Sequence, residues 1–116
     1  MKFLLTLLLV VALMSTARAA PDVKLHMLVN ASVSETYPVD WPGGVGVFSV
    51  VGTFTGCTVT LEFLGPDGVT YLPAGSATTL TSAGAGVFYL PHRLIIAVIS
   101  GGSPSGIYAE AGLVQN

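Results

Sequence analysis

Charge is what this sequence has least of. Asp, Glu, Lys and Arg make up only 9% of it, against about 25% in an ordinary soluble domain. Four cations face six acids, a formal balance of −2 with both histidines neutral. No basic cluster is present, so the chain lacks the phosphate-neutralising face that nucleic-acid binding requires. With 52% hydrophobic residues it is also no charge-rich disordered tail. Cysteine is almost missing: Cys57 stands alone, which excludes an intrachain disulfide. Small secreted domains often depend on such cross-links, so the lone thiol leans toward a reducing compartment. Past residue 20, no stretch keeps a 3.6-residue apolar period, so no helix is expected. At 116 residues there is room for one small domain and not two.

What is present begins with a hydrophobic leader. Met1-Lys2 precedes an apolar run from Phe3 to Met14, interrupted at Thr6, and then Ala17-Arg18-Ala19. A basic start, an apolar stretch and a small-x-small exit compose a secretory signal, which would be cut after Ala19. A retained anchor or buried arm and a start codon misassigned in place of Met27 are the other readings. The run falls short of the roughly 20 residues of a comfortable membrane span. Without residues 1–19 only Lys24 and Arg93 remain as cations against the same six acids. A surface so poor in charge is weakly protected against association.

The remainder reads as strands and turns. Short segments rich in β-branched and aromatic residues lie near 23–29, 46–51, 57–64, 69–72, 77–80, 86–90, 94–100 and 107–114. They are closed by Gly, Pro, Asp and Ser. In 57–64, Cys57, Val59, Leu61 and Phe63 alternate with Thr58, Thr60, Glu62 and Leu64, the period of a half-buried antiparallel strand. Gly65-Pro66-Asp67-Gly68 then supplies a hairpin turn. The segments 94–99 and 45–51 are apolar on both faces. Either both faces are covered within the domain, or the outer one is buried against a partner subunit. The fold expected is all-β: a single small antiparallel β-sandwich of jelly-roll type. Residues 1–19 form the signal-like leader, 20–43 an N-terminal strand and arm, and 44–116 the sandwich.

Catalytic and metal-binding patterns do not assemble. Asp67 is accounted for by its turn, and Glu62 and Glu110 lie on outward rows as solubility charges. Cys57 falls on a core row, while His26 and His92 sit in separate elements with no ligand-like spacing. The run 101–106 is glycine-rich but lacks the lysine of a phosphate loop and precedes a strand. No enzyme activity, cofactor or metal is expected. Asn30-Ala31-Ser32 matches a glycosylation sequon, a triplet common by chance. Trp41, in Asp40-Trp41-Pro42-Gly43-Gly44, either caps the core or offers a platform for a sugar or a partner.

One set of motifs runs through the chain: Trp41-Pro42-Gly43-Gly44, Gly52-Thr53-Phe54 with Gly56, and Thr58-Val59-Thr60-Leu61-Glu62. It continues through Gly65-Pro66-Asp67-Gly68, Leu80-Thr81 with Gly84, Phe88 with Leu90-Pro91, and Tyr108-Ala109 with Ala111. On these residues the chain, between about residues 24 and 114, resembles small tailed-phage virion proteins of the capsid-decoration or cement type. The leader departs from that pattern, in which the first strand tends to open the chain. The resemblance implies a β-sandwich surface subunit with no catalytic residues to carry over. The expected role is therefore structural: decorating or cementing a capsid shell through apolar strand faces. Its partners would be the major capsid protein, other virion subunits and further copies of itself, a trimer being favoured. Neither nucleic acid nor a small-molecule substrate is expected. The candidate contact residues are Trp41, Phe48, Phe54, Ile95, Ile99 and Tyr108. The rival is a secreted, periplasmic or envelope-associated module that holds a glycan or protein through Trp41 and the loops around Pro73 and Gly101.

Overall fold

The computed structural model describes residues 24–34 and 37–114; the leader and Glu35 lie outside the described residues. Nine strands follow in order: β1 (Lys24–Ala31), β2 (Val39–Trp41), β3 (Gly44–Thr53), β4 (Thr58–Leu64), β5 (Tyr71–Pro73), β6 (Thr79–Leu80), β7 (Gly84–Leu90), β8 (Arg93–Ser100) and β9 (Ser105–Leu113). A 3-10 turn, Ser76–Thr78, precedes β6.

The strands pair as a ribbon bent once at the β4–β5 turn. Working outward from that bend, β4 pairs with β5, β3 with β7, β2 with β8 and β1 with β9, all antiparallel. Rolling the ribbon brings β9 against β3 and β8 against β4. Two sheets result, ordered β1-β9-β3-β7 and β2-β8-β4-β5, with β6 attached to β4. Such a wrapped ribbon in two sheets is a jelly roll.

Alternation of side chains assigns each strand a core row. Phe48 and Val50 of β3, Val59 and Leu61 of β4, Ile95 and Ala97 of β8, and Ile107, Ala109 and Ala111 of β9 fill the space between the sheets. Trp41 is fully buried and its ring centre lies 4.9 Å from that of Phe88. Gly46 lies beneath both rings; a Cβ there would come within 2.5 Å of the Trp41 ring and 2.6 Å of Phe88. Glycine at 46 is what lets the indole approach β3 this closely.

Both strands that precede β3 are part of the sandwich. β1 forms one edge of the first sheet, with bulges after His26 and Leu28. The second bulge contains Asn30 at φ 52, a left-handed conformation asparagine tolerates. β2, within the stretch expected to be an arm, is a strand of the second sheet. Beyond β2 the Ser34 hydroxyl accepts from Ile99 N–H at 2.6 Å and donates to its carbonyl at 3.0 Å. One side chain thus occupies the edge of β8 where β2 does not reach.

Candidate functional site

The six residues expected to contact neighbours are mostly core residues. Trp41, Phe48, Phe54 and Ile95 are buried between the sheets, and Ile99 is half-buried against the same cluster. Phe54 packs inward from the β3–β4 connection and the others from inward rows of their strands, so their bulk stabilises the subunit and is not free for a neighbour. This corrects the expected contact set. Among the six, Tyr108 alone is exposed. The same burial removes Trp41 as a sugar platform.

The two segments apolar on both faces have separate explanations. On the outer row of β8, Ile96 is 5% exposed, so the centre of that row is already covered within the chain. On β3 the outer row stays open. Val45 stands opposite Tyr89 and Val47 opposite Val87, where β3 pairs with the edge strand β7. Val87 is 61% exposed and Tyr89 74%. β7 contains no charged residue, and only its first half is backed by the 3-10 turn, which meets it at Gly86. The outcome is an apolar corner with an uncharged edge, the arrangement proteins usually blunt with lysine or proline.

Further along this face the register assembles a second feature. Ser49 stands opposite Glu110, and Glu110 opposite His26, a polar row across three strands. Val51 opposite Tyr108 makes the next row. These residues and Ala109 line a shallow depression of about 330 Å³. His26 Nδ1 lies 3.5 Å from Glu110 Oε2, an exposed ion pair when the imidazole is protonated.

The other ionisable groups are dispersed. His92 Nε2 meets Asp40 Oδ1 at 2.8 Å on the rim. Asp67 holds its turn: its carboxylate accepts from the Thr70 hydroxyl and from the amides of Thr70 and Val69. Those bonds, the hydroxyl first, lower its pKa to about 2. Burial raises the Cys57 thiol above its ordinary value and disfavours thiolate chemistry. Desolvation likewise raises Glu62, which is paired across the sheet with Ile96 and Pro73. Among the described residues no three His, Cys, Asp or Glu side chains gather as metal ligands would.

No protein-family model and no curated protein matches the chain. Among solved structures it is similar, at 12% identity and a TM-score of 0.29, to a chain in the "Structure of infectious bursal disease virus Gx strain". The match covers 81% of this chain and 31% of that one. This chain therefore spans about a third of the viral chain's length. At that TM-score the likeness adds nothing to the fold already described.

Proposed function

We propose that the chain is a non-enzymatic structural subunit of a phage virion, decorating or cementing the capsid shell through an apolar strand face. The observation that carries this reading is the open corner made by Val45, Val47, Val87 and Tyr89 beside the uncharged edge of β7. An apolar, aromatic surface next to an unprotected strand edge is suited to burial against neighbouring subunits. The low charge and the jelly-roll order support the same reading, and the resemblance carried by the sequence motifs points to the capsid surface. In a symmetric shell many modest contacts act together, so each interface can be small. A trimer is the assembly proposed, with this corner as its contact or as its seat on the major capsid protein.

The direct test is to look for the chain in purified particles by mass spectrometry and cryo-microscopy. Density for it on the shell is expected, and particles that lack it would overturn the reading. Val87→Lys and Tyr89→Lys place charge on exposed positions that pack against nothing in the core. Each is expected to abolish assembly or shell binding while leaving the melting temperature within a few degrees. Both are read by native mass spectrometry alongside thermal unfolding.

A further inference from the structure

We infer that the depression on β1, β9 and β3 is a subsite for a neutral pyranose. It lies beside the β3–β7 corner but uses other residues and does not depend on the shell reading. Its dimensions follow from strand geometry. Ser49, Glu110 and His26 stand abreast on three adjacent strands, a row of about 10 Å. Val51 and Tyr108 form the neighbouring row two residues along, about 7 Å away. The depression is open to solvent, and its volume of about 330 Å³ is at the small end of ligand sites.

A pyranose offers a C–H face and an edge of hydroxyls, and the two rows match those chemistries. Tyr108, 46% exposed, and Val51 give an apolar wall for the C–H face. Along the hydroxyl edge, the Glu110 carboxylate accepts, the Ser49 hydroxyl donates or accepts, and His26 does either according to tautomer. The 3.5 Å separation of His26 and Glu110 exceeds a good hydrogen bond, so both keep capacity for a ligand. Glu110 disfavours phosphate, sulfate and acidic sugars. A peptide strand lying over the depression is disfavoured too, because β9 and β3, which hold every lining residue except His26, are paired on both edges and have no free backbone to extend.

The test titrates the ¹⁵N-labelled full-length chain with methyl glycosides and disaccharides of glucose, galactose, mannose and N-acetylglucosamine. Saturable, millimolar binding to at least one is expected, with amide shifts centred on Ser49, Tyr108 and Glu110. Tyr108→Ala abolishes it and Tyr108→Phe retains it. Glu110→Gln weakens it about tenfold. Val87→Lys, at the corner, leaves it unchanged, which separates this site from the assembly surface. Circular dichroism of each variant checks the fold. The inference is overturned if no sugar in the panel gives saturable shifts, if Tyr108→Ala does not alter them, or if self-association fills the depression in sugar-free solution.

Discussion

A single missing side chain decides how tightly the two sheets close. Gly46 accepts the indole of Trp41 and the ring of Phe88 where any Cβ would overlap both. Gly46→Ala is therefore expected to cost about 1–3 kcal/mol through overpacking, measured by urea unfolding. The glycine's neighbour is less settled, for Trp41 Nε1 is buried without a hydrogen-bond acceptor. Such an orphan costs on the order of 1–3 kcal/mol, so the indole is retained for its volume and not for its polar tip. Asp67 acts at the same scale through its turn. Its pKa is depressed in the fold, so its contribution is present above the ordinary value of 3.8 and is lost as pH falls toward 2. Stability of the parent chain should decline across that acid window. Asp67→Asn should flatten the decline, read as melting temperature against pH.

Among the elements, β4 and β8 share an outer face that contains a carboxylate in apolar company. Glu62 is flanked by Ile96 and Pro73, and desolvation raises its pKa. A carboxyl raised in the fold stabilises most when protonated, below the ordinary 4.5, and loses that contribution as pH rises through its folded value. Glu62→Gln should thus stabilise the chain at neutral pH and make little difference in acid; paired unfolding curves at both pH values would reveal this. The strands themselves were legible because alternation and turn residues are local signals. The segment 57–64 and its Pro-Asp-Gly turn appear as β4 and the turn into β5. β2 has no such signal, because three residues around Asp40 carry too little alternation. What holds it is long-range pairing with β8. The burial of the expected contact residues has a related cause. Aromatic bulk marks a position as buried without saying by what, and Trp41, Phe48 and Ile95 are consumed by their own core. The depression joins His26 to residues more than eighty positions away. No spacing rule reaches that far, although the outward placement of Glu110 with Tyr108 was a usable sign.

For the molecule as a whole, the same ribbon that makes the jelly roll sets the order in which it can be made. The β4–β5 turn is local, but each pair outward from it joins segments farther apart, until Lys24 meets Gly112. Closing loops of that length delays the pairings that reward it, so refolding in milliseconds to seconds is expected, not microseconds. Stopped-flow fluorescence of Trp41, which is exposed only when the sheets part, would time it. On a ribosome the constraint is sharper. β1 and the inner edge of β3 both wait for β9, which emerges after β7, and that edge of β3 is meanwhile open to any neighbouring nascent chain. Synthesis through β9 is thus a precondition for a closed first sheet, and a chain that stops short of β9 should yield aggregate instead of a smaller domain.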